Sequence, residues 1–84
     1  MNICILIGKI IDEIEFKFII KSKNKSIAYF NIELLNKSVI KVKAHNLVAD
    51  FVYSNYRKNQ IIAIEGEIRE DGAVELLRVY ENKL

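Results

Sequence analysis

The stretch from Ile27 to His45, IAYFNIELLNKSVIKVKAH, contains two runs in which apolar and polar residues alternate, separated by a short polar break. In the first run Ala28, Phe30, Ile32 and Leu34 share one parity, and Tyr29, Asn31 and Glu33 share the other. In the second, Ile40, Val42 and Ala44 alternate with Lys41, Lys43 and His45. A period of two puts one set of side chains into a core and the other into water, which is the mark of half-buried strands. Asn36-Lys37-Ser38 supplies turn chemistry between the runs. A three-residue loop at 36–38 keeps the two apolar sets on one face, whereas a one-residue slip would mix the faces. That register pairs Glu33 with Lys41, Asn31 with Lys43 and Tyr29 with His45. Its opposite-charge and aromatic pairs are each worth about 0.2–1 kcal/mol. The polar face of the hairpin gathers stacking, hydrogen-bonding and cationic groups, so it is the first place to look for function.

The flanking sequence extends the β-rich reading. Ile3 to Ile11 is apolar at both parities, which calls for cover on both faces. In so short a chain a second copy is the natural cover for Ile3, Ile5 and Ile7, so self-association is expected. Gly8 inside this run marks a bulge or a close backbone approach. After a polar break at Asp12-Glu13, Glu15 to Lys21 resumes as strand, with Phe16, Phe18 and Ile20 on one face. The basic segment at 22–26 reads as a turn. Asn46 to Arg57 is the helix candidate: Asn46 suits an N-cap, and Val48, Phe51, Val52 and Tyr56 form an apolar stripe. Asn59 suits the left-handed position that follows a helix. Gln60 to Arg69 alternates again, Asp71-Gly72 is a tight-turn signal, and Ala73 to Tyr80 is the last strand before a short tail at 81–84. Phe16, Phe18, Phe30 and Phe51 are expected in the core. If the first two runs form one strand bent near Asp12, there are five strands with the helix between the third and fourth. This is the order of an OB-fold, an all-β five-stranded Greek-key barrel with one helix, here as a single domain over residues 1–84.

Bulk properties narrow the function. The 84 residues are 51% hydrophobic with only 3 Gly and no Pro, which argues against disorder. A chain of this length buries only about 60–65% of its unfolded surface, so its stability margin is thin. The single cysteine, Cys4, has no internal disulfide partner, which fits a reducing, cytoplasmic compartment. The opening apolar run is too short for a membrane helix and lacks the marks of a signal peptide. Net charge is only +2, but it is unevenly spread. From Phe16 to His45 there are seven lysines against the single acid Glu33, and from Asn46 onward there are seven acids against five basic residues. A basic half beside an acidic half suggests a polyanion partner, although lysines also keep small β-proteins soluble and guard their edges.

Several segments, in order, resemble the bacterial single-stranded-DNA-binding protein family. MNICILIGKI is similar to that family's first strand, which begins Met-Asn and ends Ile-Gly-Arg/Lys-Leu. Glu15-Phe16-Lys17-Phe18 resembles its Glu-Leu-Arg-Tyr, and Ile27-Ala28-Tyr29-Phe30 its Val-Ala-x-Phe. Asn55-Tyr56-Arg57-Lys58-Asn59-Gln60, followed by Ala63-Ile64-Glu65-Gly66, resembles its Tyr-Leu-Lys-Lys-Gly-Gln and Val-Glu-Gly. The resemblance implies an OB-fold that binds single-stranded DNA with little sequence preference in replication, recombination or repair, with RNA as a second single-stranded candidate. It places His45 at a base-stacking aromatic position, Val39 where some members carry tryptophan, and Lys9, Lys17 and Lys41 at basic positions of the binding face. It also implies a homodimer or homotetramer joined through the first strand. The chain departs from the family in having no tryptophan, short loops after the second and fourth strands, and no linker or acidic tail before Leu84. It therefore resembles a minimal form.

Non-specific single-strand binding needs cations for phosphates and flat side chains for bases. Lys9, Lys17, Lys41 and Lys43 are the candidates for the first role, Tyr29 and His45 for the second, and Asn31 for a hydrogen bond to a base edge. Enzymatic chemistry finds little footing. One histidine and one cysteine form neither a metal site nor a nucleophile pair, and there is no Gly-rich phosphate loop and no cofactor motif. The alternative reading is a protein-interaction OB domain, an accessory factor in replication restart or on a mobile element, with little or no DNA binding.

Overall fold

In a computed structural model, residues 2–20 and 24–81 are described. The order is β1 (Ile3–Ile10), β2 (Glu15–Ile20), β3 (Asn24–Glu33), β4 (Val39–His45), α1 (Asn46–Asn55), β5 (Ile61–Ile68) and β6 (Val74–Tyr80). The strands hydrogen-bond in the order β1-β5-β6-β4-β3-β2. The end of β1 also pairs with β3, Lys9 opposite Glu33 and Ile10 opposite Ile32. That contact closes a barrel of β1, β3, β4, β6 and β5, with β4 and β6 meeting in parallel. β1 and β2 act as the two halves of one bent strand, both pairing with β3. Counted so, the structure is the expected five-stranded OB barrel with its helix between the third and fourth strands.

The core follows the alternation. Ala28, Phe30, Ile32, Val42 and Ala44 are buried together with Ile10, Ile62, Ile64, Val74 and Leu76. A fully buried isoleucine or phenylalanine contributes about 1.5–3 kcal/mol, so this one cluster carries most of the barrel's stability. From α1, Ala49 and Val52 enter the same cluster, with Val48, Phe51 and Tyr56 packed at its margin. Gly8 sits where the barrel closes. A Cβ there would lie 2.9 Å from the Glu33 carbonyl oxygen and 3.2 Å from Ile32 Cβ. Gly66 lies at the β5–β6 bulge, where a Cβ would come within 2.5 Å of both the Glu75 carbonyl oxygen and Val74 Cγ1. Both glycines let two backbones approach where any side chain would force them apart.

Several expectations change. The β3–β4 register is shifted by two residues: Tyr29 faces Lys43, Asn31 faces Lys41, Ile27 faces His45 and Glu33 faces Val39. The cause is the turn. The Leu34 N–H donates to the Ser38 carbonyl, the Lys37 N–H donates to the Leu34 carbonyl, and Lys37 takes φ 73. The loop is thus Leu35–Lys37 rather than 36–38, and the Asn36 side chain accepts from the Ser38 N–H. A shift of two preserves the faces, so the alternation holds although the pairs differ. β3 begins at Asn24, earlier than expected, so 24–26 of the predicted turn are strand; its residues 22–23 lie outside the described residues, as do 82–84 of the predicted tail.

At α1 the N-cap is His45, with no capping side chain, because Asn46 is recruited elsewhere. Asn46 adopts φ 56 and its Oδ1 accepts from the Ser26 N–H at 3.4 Å. The Ser26 hydroxyl lies 2.7 Å from Asp50 Oδ1 and 3.1 Å from the Asn46 carbonyl, tying β3 to the first turn of α1. The helix stops at Asn55, short of Arg57. Asn59 does take a left-handed φ of 78, but in the following turn, where its N–H bonds the Ile10 carbonyl. Phe18 is 55% exposed rather than core, because it lies on β2 beyond the reach of the barrel. Phe16 stays partly buried and stacks on Tyr53 with ring centroids 4.6 Å apart.

Candidate nucleic-acid interface

The outward face of the β2-β3-β4 sheet is a grid set by the registers. One rung carries Lys17, Ile27 and His45. The next carries Glu15, Tyr29 and Lys43, and extends across the parallel pairing to Glu75 of β6. A third carries Asn31 and Lys41, and a fourth Lys9, Glu33 and Val39. All seven predicted site residues therefore lie on one continuous surface. Alternation alone accounts for this, since every one of them occupies an outward position of its strand.

Tyr29 is the centre of the grid. The ammonium of Lys17 lies over its ring, 5.7 Å from the centroid, within the range of a cation–π contact. Lys43 stands directly across the strand pair. Two open grooves meet at the tyrosine, which lines both. The first, about 700 Å³, runs toward the β5–β6 turn between Lys43, His45 and Glu75 on one side and Arg69 and Asp71 on the other. The second, about 490 Å³, runs toward the β1–β2 corner past Lys17, Lys41 and Asn31, with the acids Asp12, Glu13 and Glu15 also in its lining.

The cations of the two grooves differ in their surroundings. In the first, Lys43 Nζ lies 3.6 Å from Asp71 Oδ2, and His45 Nδ1 lies 2.5 Å from Glu75 Oε2. Arg69 lies 3.4 Å from Glu67. The Ala73 N–H donated to Asp71, aided by the Lys43 ammonium, holds the Asp71 carboxyl below the usual carboxylate range. In the second groove, Lys17 and Lys41 have no carboxylate within ion-pair distance among the described residues; nor has Lys9.

Asn31 is more committed than expected. Its backbone N–H donates to Asp12 Oδ1 at 3.0 Å and its side-chain amide donates to Asp12 Oδ2 at 2.7 Å. It therefore braces the bend between β1 and β2 and keeps its amide oxygen for a ligand. Tyr29 and His45 sit on neighbouring rungs rather than facing each other.

Sequence reasoning missed Ile27, Arg69, Asp71 and Glu75 as members of this surface. The first was legible in the alternation. The other three reach the site only through the β4–β6 parallel pairing and the β5–β6 turn, contacts of long sequence separation that no local pattern announces. Of the tyrosines left unassigned, Tyr53 packs on Phe16. The Tyr80 hydroxyl donates to Glu65, a bond that raises its pKa and places it away from the grid.

No protein-family model and no curated protein matches the chain in sequence. Solved structures match its shape. The SSB domain of a Synechococcus sp. protein superposes with a TM-score of 0.84 at 20% identity, covering 96% of both chains. The single-stranded DNA binding protein of Thermus aquaticus gives 0.78 at 17% identity, over 100% of this chain and 41% of that one. The second single-stranded DNA binding protein of Mycobacterium smegmatis gives 0.70 at 16% identity, over 95% of this chain and 84% of that one. At these identities the likeness establishes a shared fold, the OB barrel.

Proposed function

We propose that the chain binds single-stranded DNA with little sequence preference across the Tyr29 grid, as a binding module and not an enzyme. The observation that carries the reading is Tyr29 itself. An aromatic side chain stands between two grooves with lysines on adjoining rungs, which is the combination of stacking platform and cationic track that single strands require. Bases stack on Tyr29 and, less strongly, on His45, while Lys9, Lys17, Lys41 and Lys43 follow the phosphates. Sequence preference is weak on this reading because every base offers a π-face. The similar solved structures, named as single-stranded DNA binding proteins, favour the same ligand. The reading places the chain in replication, recombination or repair in the cytoplasm. Single-stranded RNA offers the same groups.

The reading includes self-association through β1. Ile3, Ile5 and Ile7 are 43%, 63% and 64% exposed in one row, and Ile61 of the adjoining β5 is 64% exposed. A homodimer or homotetramer covers that row. Light scattering is expected to give the mass of two or four chains, and a monomer at high micromolar concentration contradicts it.

Titration of labelled oligo-dT at low and moderate salt tests the ligand. Binding that weakens linearly in log salt, with a slope of about 0.7 per phosphate contact, is expected. No binding at low salt overturns the reading. The second reading, a protein-interaction OB domain with little DNA binding, is favoured by one specific observation. The cations of the first groove are already paired with carboxylates.

A further inference from the structure

We propose that Asp71 and Glu75 form a built-in acidic screen over the first groove, which occupies Lys43 and His45 in the free protein and so sets how tightly that groove takes phosphate. The inference rests on the single-strand-binding reading and goes beyond it, because it assigns roles to two residues that oppose the ligand.

Asp71 and Glu75 come from different elements, the β5–β6 turn and β6, yet Asp71 meets Lys43 and Glu75 meets His45, both of β4. Glu75 is the more enclosed, with its side chain 16% exposed, and it is placed beside Lys43 by the parallel β4–β6 pairing. The Asp71 carboxylate is held by the Ala73 N–H on one oxygen at 3.0 Å and meets Lys43 with the other. A carboxylate offers a lysine or a histidine the same acceptor oxygens and the same charge sign as a phosphodiester. A phosphate entering this groove must displace it or share the cation with it. Much of the affinity for a single strand comes from counterions released by the polyelectrolyte and from cations free to meet phosphate. A lysine already held by a fixed carboxylate meets phosphate at a discount, and the carboxylate left behind repels the strand. Lys17 and Lys41, across Tyr29, carry no such pairing among the described residues. Asp12, Glu13 and Glu15 also line the second groove, but none is within ion-pair distance of either lysine, so Lys17 and Lys41 reach a phosphate without first giving up a partner.

The test compares the full chain with Asp71→Asn/Glu75→Gln, using oligo-dT as the probe. Both substitutions keep an acceptor oxygen, so the Ala73 and His45 hydrogen bonds survive while the charges go. Glu81→Gln, at an exposed position after β6, gives one unit of charge change away from the grid. The double variant is expected to bind at least about tenfold tighter at low salt, with a salt slope steeper by about 0.7 for the Lys43 ammonium released to phosphate. Glu81→Gln is expected to change affinity less than about twofold. If the wild type binds and the double variant gains no more than the control, the screen is overturned and single-strand binding stands. Binding by the double variant alone supports the screen and overturns the ligand assigned to the wild type. If neither binds at low salt, both are overturned. Thermal melts followed by circular dichroism confirm that the variants fold. If the double variant unfolds, Lys43→Ala measured with and without Asp71→Asn decides: the screen requires a larger loss when Asp71 is gone, and an equal loss overturns it.

Discussion

The two grooves that meet at Tyr29 have similar walls and different electrostatics. Both are cut into the outward face of the β2-β3-β4 sheet, and both contain lysines carried by alternating strands. In the first, Lys43 and His45 each face a carboxylate supplied by distant sequence. In the second, Asp12 accepts from the Asn31 backbone and side-chain amides rather than pairing with a lysine, and Lys17 leans over the tyrosine ring. On the proposed reading, a count of basic residues on a strand face is a poor guide to binding strength. What matters is whether each cation arrives at the ligand already neutralised, and that depends on which strand the fold lays beside it.

The comparison can be broken most forcefully at the residue both grooves share. Tyr29→Ala is expected to weaken oligo-dT binding about 5- to 150-fold, from the loss of one stacked base, with Tyr29→Phe close to wild type. An unchanged affinity in the alanine variant would remove the tyrosine from the site. Lysine substitutions then sharpen the contrast. Lys41→Ala is expected to flatten the salt slope by about 0.7. Lys43→Ala is expected to flatten it by less, because its ammonium is already held by Asp71. Equal effects from the two would mean that the ion pair opens freely and the grooves are alike. The smallest expected effect is His45→Ala. An imidazole paired with Glu75 gives up that bond to stack, so a loss near the lower end of the stacking range, about fivefold, is expected.

Much of the architecture was legible because alternation is a local property. The inward set Ala28, Phe30, Ile32, Val42 and Ala44 and the outward set Tyr29, Asn31, Lys41, Lys43 and His45 are both placed as the period of two requires. The close approach at Gly8 was likewise signalled by a glycine inside an apolar strand. The register was not legible. A left-handed Lys37 moved the turn by one residue, and the cross-strand pairs moved by two. The cap of α1 was lost to tertiary structure, since Ser26 of β3 claims Asn46. Phe18 looked like core by hydrophobicity, but the barrel wall ends before it. The acids that qualify the site were out of reach for the same reason. Glu75 and Asp71 lie about thirty residues along the chain from their partners, and only the parallel β4–β6 contact brings them together.

The central claim, that the Tyr29 grid is where a single strand lies, is tested most directly by amide chemical-shift mapping of the full chain with unlabelled oligo-dT. The account predicts the largest shifts at Lys17, Tyr29, Asn31, Lys41 and Lys43, with little change at Ile3, Ile5 and Ile7 of β1. Shifts confined to β1 and β5, with the Tyr29 rungs silent, would contradict it.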